Sequence, residues 1–204
     1  MAKVKMSKKS TKIDMTAMCD VAFLLLSFFV MTSTAKIPEP LPVDTPASTR
    51  ETKLPDTDLV TLTVGDGKVF FGMVGQDIRK DALGRISEKY KVTFTEDEAK
   101  RFSLIDGFGV PVGNLKTIIN LSGEERNKAG LQPGIPYDSI DNQLKEWILA
   151  ARYATRDLHN TELKIAIKGD AKEEYPTVKK IIDILQDQKI NKFFLVTGLR
   201  SEDF

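Results

Sequence analysis

The chain has 204 residues, 41% of them apolar and 29% charged, and a net charge of +1. One cysteine excludes an internal disulfide, and one histidine excludes the clustered zinc motifs. No P-loop, nucleophile elbow or glycine-rich dinucleotide turn stands at a strand-to-helix junction, so no classical enzyme chemistry, no cofactor, no metal and no nucleic-acid partner is expected.

Residues 1–12 form a basic tail with Lys3, Lys5, Lys8, Lys9 and Lys12. These five positive charges exceed the +1 of the whole chain, so everything beyond them carries −4. An apolar stretch follows, and residues 13–35 are expected to form one transmembrane helix of about the twenty residues a bilayer requires. By the positive-inside rule the amino terminus is cytoplasmic and the residues after Ala35 lie across the membrane, which in a bacterium is the periplasm. No second long apolar run occurs, and the remaining ~165 residues suffice for one compact domain with its own core.

Asp20 is the only formally charged residue in positions 17–35. A carboxylate in the middle of an inserting helix costs roughly 2.5–3.5 kcal/mol, so such groups usually mark proton or ion pathways. If the helix starts near Ile13, Asp20 lies roughly 10 Å in, and partial rescue by interfacial water is the alternative. Thr16, Asp20, Ser27 and Thr34 recur at spacings of four, seven and seven, which places them on one stripe. That stripe serves either helix packing or a water and proton relay, and both uses require a partner. A secretory signal is a further alternative: the lysine-rich start, an apolar core at 21–30 and the small residues Ser33, Thr34 and Ala35 suit one, with cleavage near Ala35. A signal core has no need of a carboxylate at its entrance, and the apolar stretch continues at both ends, so a retained anchor is expected. Cys19 precedes the apolar run, which excludes a lipoprotein signal.

Residues 36–57 carry Pro38, Pro40, Pro42, Pro46 and Pro55 and read as an extended linker. Positions 59–64 and 68–71, joined through Gly65-Asp66-Gly67, read as a hairpin that opens the domain at 58–204. Between about 73 and 136, Thr95 and Glu98 form a capping-box pattern, 78–90 has mixed helical periodicity, and Leu115, Ile118, Ile119 and Leu121 suggest another helical turn. A long helix is expected at about 140–158, capped by Asp138 or Ser139, with Leu144, Trp147, Ile148, Ala151 and Tyr153 as apolar surface. His159 falls at its end, where a solvent-facing or C-terminal charge role is expected rather than catalysis. Leu163, Ile165 and Ile167 alternate as a half-buried strand, and Val178, Ile181, Ile182 and Leu185 repeat as one helix face behind Pro176. Asp170 and Tyr175 read as turn and cap residues, and Phe193 to Thr197 as a last strand.

The run Ile13-Asp14-Met15-Thr16-Ala17-Met18-Cys19-Asp20-Val21, followed by Leu25, Leu26 and Phe29, resembles the membrane segment of the ExbD/TolR family, roughly I-[ND]-x-T-P-[LMF]-[IV]-D-V-x-x-x-L-L-x-x-F. Ala17 replaces the family's usual proline. The ending from Leu163 to Thr197 looks like the family's strand, turn, helix and V-x-L-V-T strand, with Gly169 in place of the usual alanine. The resemblance implies an α+β architecture: one N-terminal transmembrane helix, an extended linker, then a small periplasmic domain in the order strand-strand-(insertion)-helix-strand-helix-strand. Residues 73–136 are the departure, a family-atypical insertion that is either a docking surface or a structural elaboration.

The resemblance further implies an ExbD-like motor subunit of the bacterial inner (plasma) membrane, with Asp20 as its protonatable residue. Its implied partners are the lipid bilayer, an ExbB/TolQ-type polytopic protein, a second copy of itself in a homodimer, and a TonB/TolA-type periplasmic transducer. Val43, Asp44, Thr45 and Pro46 distantly resemble the V-N-L-P-x-S segment after the family's membrane helix, which implies a regulatory segment; a plain spacer is the alternative. A TolR-like envelope-maintenance subunit, or an anchored periplasmic scaffold without proton transport, stands beside the main reading.

Overall fold

The computed structural model describes residues 15–33, 41–48, 53–128, 130–138 and 140–199. The chain divides into two units, Met1–Ile37 and Pro38–Phe204. The first holds a single helix, α1 (Met15–Thr32). The expected start of that helix at Ile13, the basic tail, and Thr34 lie outside the described residues.

The second unit begins with a two-residue strand, β1 (Ala47–Ser48), and then the expected hairpin, β2 (Leu59–Gly65) and β3 (Lys68–Met73). Its turn residues Asp66 and Gly67 have φ of 52° and 68°. Positive φ at both positions is the two-residue turn whose twist matches paired strands, and an Asp-Gly pair adopts it at low cost. The next stretch folds as α2 (Gln76–Tyr90), α3 (Glu96–Ser103), β4 (Gly107–Phe108), a 3₁₀ turn at Val112–Asn114, α4 (Leu115–Asn120) and α5 (Gly123–Arg126). Thr95 and Glu98 make the predicted reciprocal capping box at α3, and Ser122 with Glu125 repeats it at α5. The long helix is α6 (Gln143–His159), and β5 (Lys164–Gly169), α7 (Tyr175–Asp187), β6 (Phe194–Val196) and β7 (Gly198–Leu199) complete the unit.

Five strands form one sheet in the order β4-β3-β2-β5-β6. The hairpin strands and β4 pair antiparallel, whereas β2-β5 and β5-β6 pair parallel. Parallel neighbours need a long crossover, which α7 supplies between β5 and β6. Val60, Leu62 and Val64 sit opposite Met73, Phe71 and Val69 on one neighbour, and Val60 and Leu62 sit opposite Ile165 and Ile167 on the other. All eight are buried and share one sheet face with the helical core. Alternation with period two therefore turns the apolar set inward and leaves Thr61, Thr63 and Lys168 on the other face.

Residues 73–136 join the same core rather than forming a separate one. Ile78, Leu83, Phe102, Phe108, Leu115 and Ile135 belong to the buried cluster that includes the hairpin, α6 and β5. Within this stretch β4 extends the sheet beyond β3, and α2 packs on α6 and α3. Trp147 of α6 lies at the junction, with ring centroids 4.8 Å from Phe108, 5.8 Å from Phe102 and 6.0 Å from Phe71.

Two local expectations at α6 are corrected. The helix begins at Gln143, and its cap is Asn142, whose side chain accepts from the Lys145 amide at 2.9 Å. Asp138 and Ile140 precede the helix, and the Ile140 side chain is fully exposed. Tyr153 also faces outward, with the Arg85 guanidinium 5.9 Å above its ring, whereas Leu144, Trp147, Ile148 and Ala151 are buried as expected.

Candidate functional site

Among the described residues, α1 is the one helix long and apolar enough to cross a membrane. Its 18 residues reach about 27 Å at about 1.5 Å per residue, close to the ~30 Å hydrocarbon core. None of them is buried, and Phe23, Leu24, Leu26, Phe28 and Phe29 form a wide exposed apolar surface. At about 3.6 residues per turn, Thr16, Asp20 and Ser27 project within about 40° of one another. The sequence spacing thus becomes a real stripe through 15–32.

The hydroxyls on this helix are largely self-satisfied. Ser27 Oγ donates to the Leu24 carbonyl at 2.9 Å, and Thr32 Oγ1 donates to the Phe28 carbonyl at 2.8 Å. A hydroxyl that donates to its own backbone adds little cost in an apolar medium and keeps its lone pairs as acceptors. Asp20 differs, since no hydrogen bond or ion pair joins its carboxylate to any described residue. An unpaired carboxylate on an otherwise apolar helix requires water or a polar surface from outside the chain segment.

The second candidate is the segment at 41–48, which is docked on the sheet unit rather than standing free. The Ala171 amide donates to the Asp44 carbonyl at 2.7 Å, the Asp44 amide donates to Asp170 Oδ2 at 3.4 Å, and the Gly198 amide donates to the Pro46 carbonyl at 2.9 Å. Beyond Pro46, β1 pairs in parallel with β7 through Ala47–Gly198 and Ser48–Leu199. A Cβ on Gly65 would stand 2.9 Å from Val43 Cγ1 and 3.3 Å from Leu41 Cδ2, so the missing side chain is what admits the segment. A cavity of about 150 Å³ opens beside it, lined by Leu41, Thr61, Thr63, Phe70 and Lys168 on the outer sheet face.

The predicted turn and helix-start residues take local roles. Asp170 Oδ1 accepts from the Lys172 amide at 2.8 Å, a turn bond, while its other oxygen receives Asp44. Tyr175 is the first residue of α7 and is exposed; the cap itself is Glu174. His159 ends α6 as expected, but its ring bridges two carboxylates, Asp58 and Asp77. Those partners lie 101 and 82 residues away in the chain, so no spacing pattern reveals them. Among the described residues no group of three or more His, Cys, Asp or Glu side chains is placed to hold a metal.

A family model described as Biopolymer transport protein ExbD/TolR matches residues 6–199. No curated protein and no solved structure gives a significant match.

Proposed function

The chain belongs to the ExbD/TolR family of inner-membrane, proton-motive-force-coupled motor subunits, and from that premise we propose that it is an ExbD-like subunit. In this reading it works as a homodimer with an ExbB-type polytopic partner and energises a TonB-type periplasmic transducer for outer-membrane transport. The observation that carries the reading is Asp20, the one carboxylate on an apolar helix, sharing its face with Thr16 and Ser27.

Desolvation disfavours the charged form of a carboxyl, whereas water and polar groups favour it. Asp20 takes a proton where it meets water from one side, crosses an apolar or hydroxyl-bearing wall of the partner as a neutral acid, and releases the proton where water meets it from the other. Each change of charge changes which surface the helix prefers, and repeated change shifts or turns α1 within the partner ring. The basic tail at 1–12 supports an amino terminus in the cytoplasm and a domain at 58–204 in the periplasm, where the work would be delivered. Co-isolation of the intact chain identifies the partner, and an ExbB-type or TolQ-type protein in that complex separates uptake from envelope maintenance. Proton flux through the reconstituted complex, compared between wild type and Asp20→Asn, tests the proton step.

The docked segment at 41–48 serves this reading as a releasable restraint. Undocking releases residues 41–48 from the sheet unit, at most about 29 Å of extended chain. Gly65→Val places bulk against Val43 and Leu41. Overpacking of this kind costs about 1–3 kcal/mol, so the Ala171 and Gly198 amides, which donate into the segment, are expected to exchange hydrogen roughly 5- to 150-fold faster. Unchanged exchange at both amides defeats the restraint and leaves a spacer.

A further inference from the structure

His159 closes α6 where two other parts of the fold converge. Its Nδ1 contacts Asp58 Oδ1, and its Nε2 lies 2.8 Å from Asp77 Oδ2. Asp58 approaches β2 in the left-handed backbone region, with φ of 56° and its side chain 11% exposed. It is held there independently, since Thr161 Oγ1 donates to its other oxygen at 3.0 Å and the Lys164 amide donates to its carbonyl at 2.9 Å. Asp77 stands in the first turn of α2, where its Oδ1 accepts from the Ile78 amide at 2.9 Å.

Each ring nitrogen therefore faces an atom that, in an ionised carboxylate, only accepts. A neutral imidazole has one donor and one lone pair, so it satisfies one of the two carboxylates and turns a lone pair toward the other. The imidazolium donates to both, and hydrogen bonds between ionised partners are the stronger kind. We infer that His159 is a proton-read clasp: protonated, it ties the first turn of α2 to the end of the core where α6 stops and β2 begins; deprotonated, it releases Asp77.

From Ile78 onward α2 has other fastenings, which limit the release to its opening residues, Gln76 and Asp77. Arg79 donates to the carbonyls of Met73 at 2.6 Å and Ser103 at 2.8 Å and pairs with Asp106 at 2.8 Å. Arg85 bridges Asp81 and Asp157, Lys89 pairs with Glu146, and Ile78, Ala82, Leu83 and Ile86 are buried.

The charged groups acting on the ring are Asp58 from the approach to β2 and Asp77 from α2, and both hold the imidazole above its ordinary 6.5. His159 in turn holds the Asp77 carboxyl below its ordinary 3.8. Because the folded histidine value is raised, the clasp contributes fully below pH 6.5 and is lost as pH rises through that raised value. Because the Asp77 value is lowered, the same contact is lost at the acid end only as pH falls through that lowered value.

His159 is the chain's one histidine, so its ring signal in histidine-labelled full-length protein is unambiguous. In lipid nanodiscs, with an affinity tag that contains no histidine, the ring is expected to titrate above 6.5. Exchange at the Ile78 and Arg79 amides, corrected for the intrinsic pH dependence, is expected to rise with the same midpoint while Trp147 stays protected. Asp77→Asn, a conservative change at a half-exposed carboxylate, is expected to move the midpoint down toward 6.5 and to abolish the linked step in exchange. A wild-type midpoint at or below 6.5, no step in exchange, or a step that persists in Asp77→Asn overturns the clasp. The clasp stands on the sheet unit alone, so its failure leaves the proton role of Asp20 untouched.

Discussion

Asp20→Asn is expected to leave the chain inserted, folded and assembled with its membrane partner while reducing proton-driven work to background. The substitution keeps the side chain's shape and removes its charge. Because the charge itself costs roughly 2.5–3.5 kcal/mol at the centre of a helix, the neutral variant inserts at least as readily. No described residue loses a hydrogen bond or an ion pair in the exchange. Loss of activity in an intact complex therefore reads on the proton step rather than on assembly.

Two measurements check this expectation. Proton flux into vesicles carrying the reconstituted complex should fall to the leak of the vesicles themselves. Cells bearing the variant should lose proton-motive-force-dependent uptake or envelope function. Ser27→Ala is the contrasting variant: its hydroxyl already donates to the Leu24 carbonyl, and hydrogen bonds between membrane helices average about 0.6 kcal/mol, so a partial effect is expected. Normal activity of Asp20→Asn would sink the motor reading and favour an anchored scaffold, whose helix has no use for a carboxylate.

Trp147→Ala is expected to destabilise the domain by about 3–5 kcal/mol, the range for removing a large aromatic from a core that cannot collapse. The indole is wholly buried and touches rings from three other elements, Phe71 of β3, Phe102 of α3 and Phe108 of β4. Domains of this size are stable by only about 5–15 kcal/mol, so the variant loses a large share of its margin. Trp147 Nε1 has no hydrogen-bond partner among the described residues, and a buried unsatisfied donor costs about 1–3 kcal/mol. Trp147→Phe removes that donor while keeping a ring in the cluster and is expected to recover at least half of the loss. Denaturant unfolding followed by circular dichroism checks both variants, since the chain's one tryptophan is the residue removed. Equal stability of Trp147→Ala and wild type would mean that the 73–136 stretch does not share the core.

The two variants separate the proposed proton step from the stability of the fold. One should abolish work without touching the fold, and the other should weaken the fold without touching the proton path. An arrangement in which both failed through the same loss of structure would show up as reduced partner co-isolation in each.

Local chemistry was legible wherever a few neighbouring residues decide the backbone. Asp66-Gly67 announced the hairpin because both turn positions need positive φ. Thr95 and Glu98 announced α3 because a capping box closes within four residues. The start of α6 is not legible in the sequence, for the opposite reason. Asp138, Ser139 and Asn142 are all competent caps, and the choice falls to Asn142 through its pairing with Tyr137 and the Leu144 amide's bond to the Pro136 carbonyl, contacts that exist only once the turn has formed.

Of the expected polar stripe, the part within α1 was equally legible, because Thr16, Asp20 and Ser27 need only helical spacing to share a face. The docked segment was not. Val43 to Pro46 resembles a family motif in sequence, but its seat depends on Asp170, Ala171 and Gly198 at the far end of the chain, and on the space above Gly65. His159 belongs to the same class, an ordinary helix-end histidine by position that acquires two carboxylates by folding.

Composition and short-range geometry were enough for one apolar helix with one carboxylate, the hairpin, the capping box of α3 and the family to which they belong. Which distant groups meet follows only from the folded chain. It placed residues 73–136 inside the common core, put Trp147 at their junction, seated 41–48 against Gly65, and closed His159 between Asp58 and Asp77. The physical reason is range: turns and helix faces are governed by sterics and hydrogen bonds over a few residues, whereas burial and charge pairing depend on proximity in space, which chain spacing does not encode.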